Sequence, residues 1–351
     1  MPAGIPSRAA HDDRLRTART ARGWSQTELA DRAGVSRQLV GGVESGRHAP
    51  SVAAAIAIAR ALSATVEDLF GEPTTDVTLL GRTPVPTNGE RAVHLARVGD
   101  RLVAVAPHDG VESAEQWTTA DALVAGDGAL TMLPHGSAEA FLVAGCDPAL
   151  GVLAGLVHRT AGERVLVAHA STTVAADALA DGNVHAAVVH ATAQSMPAPP
   201  IPVERWHLAR WQVGLASARR GGVPTIDEIA TRRVQVVQRA AGASTQMALD
   251  RALTRAGAPR ATGPIGAGHI DVARRVAAGA PVGVTMEAAA RSFDLGFTPL
   301  EVHEVEVWID ARWSATAAAR AIVDLLAGDA LRSRLQAIGG YDLSMCGRRI
   351  A

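Results

Sequence analysis

The sequence predicts a multidomain protein with an all-α N-terminal domain, a small β-rich connector and a C-terminal α/β domain, and three observations carry that prediction. Residues 12–70 place apolar side chains at helical spacing between strong helix-capping signals. Residues 93–105 alternate on both sides of a Gly-Asp pair. From residue 137 onward, short continuous apolar runs alternate with helical stretches, the pattern of strands buried on both faces. The composition shifts set the boundaries at a disordered arm over 1–10, a helical domain over 11–72, the connector over 73–136 and the α/β domain over 137–351.

Composition narrows the class. The 351 residues suffice for two or three domains, and 48% hydrophobic content excludes disorder along the whole chain. The apolar stretch from Val52 to Leu62 is interrupted by Arg60, well short of the roughly 20 residues a bilayer span needs. No membrane partner is expected, and Met1 to Asp13 lacks the apolar core of a signal peptide. Cys146 and Cys346 lie far apart with no C-x-x-C pair, so neither a disulfide framework nor a structural zinc site is indicated, and a cytoplasmic setting is expected. All 34 basic side chains are Arg; residues 1–70 carry net +2 and the remainder net −3. That tilt has the sign expected if the N-terminal domain meets nucleic acid.

The helical elements follow from their caps. Ser25-Gln26-Thr27-Glu28 is a capping box, with Leu29, Ala30 and Ala33 on one face behind it and Gly34 supplying the left-handed residue of a tight turn. Ser36 caps the next helix, which turns Leu39, Val40 and Val43 inward. Pro50-Ser51 opens another with Val52, Ile56, Ala59 and Leu62 at helical spacing, and Thr65 begins a short last helix ending in Leu69-Phe70.

Five short helices with a glycine turn between the second and third form a helix-turn-helix. Here Gly23-x-Ser25-Gln26-x-x-Leu29-Ala30, Ala33-Gly34-Val35-Ser36, Glu44-x-Gly46-x-x-x-Pro50 and Leu69-Phe70 resemble the XRE family of Cro and phage-repressor type, over Asp12 to Phe70. The resemblance implies a double-stranded DNA operator as partner, with the third helix in the major groove. Carried over by position, that helix begins at Ser36, Arg37, Gln38 and Gly41 face the bases, and Gln26 and Arg47 grip phosphates. Arg37 suits guanine and Gln38 adenine. Gly41-Gly42 departs from a good helix, which leaves two explanations: close approach of the backbone to DNA, or a short frayed helix.

The hairpin at Val93–Val105 turns at Gly99-Asp100, and Trp117 reads as a packing residue. Farther on, Phe141–Gly145, Arg164–His169, Ala186–His190, Arg233–Val237 and Pro281–Thr285 read as strands, and Thr225–Glu228 is a second capping box. An open α/β sheet binds ligands at the carboxyl ends of its strands, against helix N-termini.

These residues resemble a second family, the periplasmic-binding-protein-like domain related to molybdate-binding proteins, over about Phe141 to Gly347. The carriers are Gly145-Cys146-Asp147-Pro148-Ala149-Leu150, His169-x-Ser171-Thr172, Ala178–His190, Arg239-x-x-Gly242-x-x-Thr245, His269–Gly279, Phe297-x-Pro299-Leu300 and Gly340-Tyr341-Asp342. The resemblance implies a type II fold of two α/β lobes about a hinge, with a small-molecule effector in the cleft, an oxyanion such as molybdate or a polar organic metabolite. The candidate ligand residues are Cys146, Ser171, Thr172, His190, Arg239, Ser244, Thr245, Gln246, His269 and Glu287. Each has a plain structural alternative: helix caps for Ser171, Thr172 and Ser244, core histidines for His190 and His269, a packing thiol for Cys146 and a helix face for Glu287. The family's loop reads approximately N-R-x-x-G-S-G-T-R, so Gln246 stands where a cation would neutralise an anion, while Arg239 remains. Asp147 reads as the cap of its own helix.

The chain has no Walker loop, H-E-x-x-H, G-x-S-x-G or G-x-G-x-x-G after a strand, and Cys146 has no locally fixed base, so an enzyme is not expected. The expected function is a one-component transcription regulator, a repressor working as a homodimer, without a metal or cofactor. Two rivals are a constitutive repressor whose C-terminal domain serves only dimerisation, and an enzyme or carrier of molybdenum-cofactor metabolism.

Overall fold

The computed structural model describes residues 9–20, 22–45, 47–62, 64, 66–70, 77–80, 89–106, 119–218 and 222–351. Gly46, Thr65, Trp117 and residues 1–8 of the expected arm lie outside them; Ala9 and Ala10 already belong to a helix. The chain divides into two compact units, Met1–Thr75 and Asp76–Ala351.

The first unit contains α1 (Ala9–Thr20), α2 (Gln26–Ala33), α3 (Arg37–Glu44), α4 (Val52–Ala61) and α5 (Val66–Phe70). The caps form as their sequences require. Ser25 Oγ accepts from Glu28 N while the Glu28 carboxylate accepts from Ser25 N at 2.7 Å, and Gly34 closes α2 at φ +64°. Ser36 and Ser51 cap α3 and α4. Leu15, Leu29, Val40, Ile58 and Leu62 are fully buried in the core. One stripe is half as expected: Ala59 and Leu62 are buried, but Val52 is 78% and Ile56 41% exposed, and Ala55 and Ile58 take their places on the inner face of α4.

The second unit starts with β1 (Val77–Leu80), β2 (Glu90–Val98), β3 (Arg101–Val105), β4 (Ala122–Ala125) and β5 (Leu130–Met132), in a sheet of order β1-β3-β2-β4-β5. The β2–β3 hairpin turns at Gly99-Asp100 in the register Val98↔Arg101. The segment read as a connector is built into this unit. Ala96, Val98, Val103 and Val105 share a core with Leu142, Ala168, Leu179 and Trp308. Arg164 makes two bonds to Asp121, at 3.0 and 2.6 Å, and Asp121 also accepts from Leu95 N and Ser137 N.

The α/β part runs β6 (Phe141–Gly145), α6 (Ala149–Ala161), β7 (Val165–His169), α7 (Thr172–Ala180), β8 (Ala186–Ala191), β9 (Val203–Ser217), α8 (Ile226–Arg232), β10 (Val236–Val237), α9 (Ser244–Arg255), α10 (His269–Ala277), β11 (Val282–Met286), α11 (Glu287–Ser292), β12 (Gly296–Asp310), α12 (Ala317–Ala327), α13 (Asp329–Ile338), β13 (Tyr341–Asp342) and β14 (Arg349–Ile350). The strand order is β10-β11-β9-β12-β8-β6-β7. Its first lobe pairs β6 in parallel with β7 and β8; its second pairs β10 in parallel with β11. The antiparallel strands β9 and β12, 15 residues each, pass through both lobes: β12 pairs β8 over Glu304–Ile309, and β9 pairs β11 over Val213–Ala216. Register shifts at Pro299/Glu301, in the second lobe, and Val305/Glu306, in the first, interrupt the β9–β12 ladder, and such irregularities bend strands. Among the described residues, no helix is long and apolar enough to cross a membrane.

Candidate functional site

In the first unit, the start of α3 is a solvated face. Ser36, Arg37 and Gln38 are exposed, and Ser36 Oγ is turned back to Leu39 N as the cap. Arg47 is exposed and bonds Ser45 Oγ through Nε at 2.8 Å. Gln26, read as a phosphate contact, is half-buried and donates to Glu44 Oε2 at 2.8 Å. Gly42 has a packing cause that the sequence did not disclose, whereas the space around Gly41 would admit a side chain's Cβ. A Cβ on Gly42 would lie 2.7 Å from a ring carbon of His48, and one on Gly41 3.5 Å from Gln26 Oε1. Gly42 thus lets the turn after α3 fold tightly onto the helix, where its carbonyl accepts from Arg47 N and His48 N.

Beneath this face lies a buried ion pair that sequence reading missed, its members being 25 residues apart. Arg19 on α1 bonds Glu44 on α3 through Nε at 2.6 Å and through its second terminal nitrogen at 3.1 Å, and a third donor reaches Trp24 O at 2.5 Å. Burial pushes the Glu44 carboxyl up, but the bonds from Arg19 and Gln26 outweigh it and hold it below the usual range.

In the second unit, a cavity of about 280 Å³ opens where β6, β7 and β10 end, bordered by the start of α7 and the loop before α9. Its walls carry His169, Ser171 and Arg239 among alanines, and Leu80 of β1 closes one side. Of the expected ligand residues, only Ser171 and Arg239 line it. His169 and Leu80 were not among those candidates, although His169 ends an apolar strand in the place where such folds put ligand contacts.

The remaining candidates have other work. Thr172 is buried, donating to His190 O and accepting from His190 N, both at 3.0 Å, which ties α7 to β8. Ser244 and Thr245 are buried in the first turn of α9, whose cap is Ala243. Gln246 accepts from Arg239 N at 2.9 Å and donates to Gln238 and Asp250, so it shapes the loop that carries Arg239. Glu287 pairs with Arg291 along α11, outside the cavity. The cap position of α6 is Pro148 rather than Asp147, which sits one residue earlier and accepts from Ala149 N, Trp211 Nε1 and Tyr341 OH, so it anchors two strands to the start of the helix; burial pushes its carboxyl up.

Cys146, His190 and His269 come together outside the cavity lining, all three buried. Cys146 Sγ lies 3.1 Å from His190 Nε2 and 3.8 Å from His269 Nε2. His190 Nδ1 lies 2.9 Å from His303 Nδ1, and His303 Nε2 faces Glu301 at 3.5 Å. Arg251 holds Glu301 by two bonds, and these keep its carboxyl low. Burial drives His190 and His269 well below the ordinary imidazole range, reinforced for both by the nearby Arg239 charge, and burial takes His303 and His185 down to about 4.

These histidines predict an acid-sensitive second unit. An unfolded histidine takes up its proton near pH 6.5, whereas these stay neutral in the fold, so the unfolded state binds more protons as pH falls. Stability is full above pH 6.5 and declines below it, by about 1.4 kcal/mol per pH unit for each such histidine. Asp147, raised by burial, acts in the opposite sense. Thermal melts between pH 7.5 and 5, above the usual carboxylate range, should show the second transition moving down steadily. A transition temperature flat across that window contradicts the buried neutral assignment.

Comparison with known proteins agrees with both units. The helix-turn-helix family matches residues 15–69, and the PBP superfamily domain matches residues 154–327. An uncharacterized HTH-type transcriptional regulator of Archaeoglobus fulgidus is 42% identical over 57 residues, 16% of this chain and 81% of that protein. One from Methanothermobacter thermautotrophicus is 46% identical over 57 residues, covering 16% of this chain and 83% of the relative. Among solved structures, the bromide-bound regulatory domain of HypT from Salmonella typhimurium aligns at 15% identity and a TM-score of 0.44, over 55% of this chain and 95% of that one. The chain belongs to the XRE-type helix-turn-helix transcriptional regulators and carries, after its DNA-binding domain, a two-lobed α/β domain of the PBP superfamily.

Proposed function

We propose that the protein is a one-component repressor, working as a homodimer in the cytoplasm, whose operator affinity is set by a small polar or anionic effector in the cavity at the end of β6, β7 and β10. The observation that carries this reading is the lining: one buried arginine, one histidine and one capping serine, set among alanines at the mouths of parallel strands. Helix N-termini and fixed cations at such strand ends favour anions. A volume of about 280 Å³ is at the small end of ligand sites and suits an oxyanion or a short polar metabolite better than a large cofactor. Two-fold pairing supplies the footprint that one helix-turn-helix lacks. The reading assigns no catalysis to the chain; product formation from any cavity ligand overturns that part.

The rival with a specific observation behind it is a constitutive repressor. Gln246 is engaged within its own loop and brings no charge to the cavity. Thermal unfolding of the full chain against molybdate, sulfate, phosphate and short carboxylates separates the two. A ligand at 100 times its Kd adds about 2.7 kcal/mol to the unit that binds it. The expected result is a shift of the second transition with one class of anion, abolished in Arg239→Gln. A shift unchanged in that variant removes Arg239 from the site, and no shift with any anion favours the constitutive reading.

A further inference from the structure

We propose that Cys146, His190 and His269 form a binding site for one soft monovalent metal ion, Cu(I), clasped between the two lobes. The first support is the donor geometry. The three ligating atoms lie within 4.8 Å of one another. A thiolate and an imidazole sharing one ion, at about 2.3 and about 2.0 Å, sit about 3.5 Å apart across a near-tetrahedral angle. The two sulfur–nitrogen distances, 3.1 and 3.8 Å, fall on either side of that value. The remaining separation, between the two imidazole nitrogens, is the 4.8 Å one, so admitting an ion draws His190 and His269 together by about 1.5 Å.

The second support is the orientation of the imidazoles, fixed by their far nitrogens. Arg251 holds Glu301 as a carboxylate, so His303 Nε2 donates to Glu301 and His303 Nδ1 is left as an acceptor. His190 Nδ1 therefore donates to His303, and its Nε2 lone pair points at Cys146 Sγ. On the other lobe, Thr285 Oγ1 donates to His269 O at 2.9 Å and can accept from His269 Nδ1 at 3.4 Å, which turns that Nε2 lone pair to the same sulfur. Outer hydrogen bonds of this kind orient histidine ligands in metal centres.

The third support is the charge balance. The site is buried and walled by the Trp211 ring, whose centroid lies 4.7 Å from that of His190 and 5.4 Å from that of His269. A thiolate with a monovalent ion is neutral, whereas a divalent ion would leave one positive charge buried within reach of Arg239. Thiolate and imidazole together select soft ions. Binding replaces the Cys146 S–H bond to His190 with Cys–metal and His–metal bonds and releases one proton. Because Cys146 and His190 belong to the first lobe and His269 to the second, the ion would tie the lobes together. This site stands apart from the cavity anion, and neither proposal needs the other.

The test is an anaerobic titration of the reduced full-length protein with Cu(I) against a chromophoric Cu(I) chelator. The expected result is one equivalent retained, weakened by roughly 100-fold or more in Cys146→Ser and in His269→Gln. The positioning variant His303→Gln should lose about 10–100-fold. X-ray absorption at the copper edge of the wild-type protein, which depends on no variant folding, should show one sulfur and two nitrogen neighbours. No retained copper, retention unchanged in Cys146→Ser, a copper shell without sulfur, or displacement of Cu(I) by an equal concentration of Zn(II) each overturns the proposal.

Discussion

Replacing Arg37 and Gln38 together with alanine is expected to abolish operator recognition while leaving the protein folded and still weakly attracted to any duplex. Both side chains are exposed on the first turn of α3, and neither carries a buried contact that the fold needs. The geometry of the two residue types explains the size of the effect. Arg bonds guanine through two donors, Gln bonds adenine through a donor and an acceptor, and each good pair discriminates by about 1–3 kcal/mol. A dimer loses both contacts in each half-site, enough to remove most of the roughly 10³–10⁷-fold preference that separates operator from bulk DNA. Arg47 lies outside the helix, so its removal should weaken operator and non-operator DNA alike and flatten the salt dependence. Fluorescence anisotropy at two salt concentrations reads both. Wild-type operator affinity in the double variant would sink the assignment of α3 as the reading helix.

The second large effect is on stability, in the same unit but at the opposite face of α3. Arg19→Ala strips Glu44 of two bonds and leaves a buried carboxylate, 2% exposed in the native fold, with the Gln26 bond and the weaker influence of the Arg16 charge. Removing one partner of a buried pair typically costs about 3–5 kcal/mol, because the other charge stays desolvated. A unit of this size has little more than that in reserve. Arg19→Ala is therefore expected to unfold the helix-turn-helix and abolish DNA binding while the second unit melts as before. Arg19→Leu combined with Glu44→Leu removes both charges and should recover most of the lost stability. Hydrogen exchange over residues 26–62 measures this, and full protection in Arg19→Ala contradicts it.

What the sequence disclosed and what it hid follow from the range of the interactions. Caps are local: Ser25 with Glu28, Ser36, Ser51, and Thr225 with Glu228 each bond within three residues, and all four form as read. Strands buried on both faces, such as β6 and β8, announce themselves as unbroken apolar runs. The long strands β9 and β12 do not, because several of their charges are neutralised by residues far away in sequence: Arg205 by Glu306, and Arg210 and His207 by Glu304, across the two strands. Read alone, either segment looks too polar for the centre of a sheet. The same holds for the sites. The cavity was legible as a place, through strand ends and Arg239, but Thr172, Gln246 and Glu287 carry polar groups that the fold uses elsewhere. The Cys146–His190–His269 cluster draws its members from positions up to 123 residues apart. No spacing rule finds such a group.

Operator affinity of the full-length protein, measured with and without a saturating cavity ligand, tests the regulatory reading most directly. The ligand is the anion that raises the second melting transition in an Arg239-dependent way. Coupling between the two sites should change the operator Kd by roughly 5–150-fold, and the operator should change the ligand's affinity by the same factor. A ligand that stabilises the second unit yet leaves the operator Kd unchanged would show that the cavity binds without governing DNA.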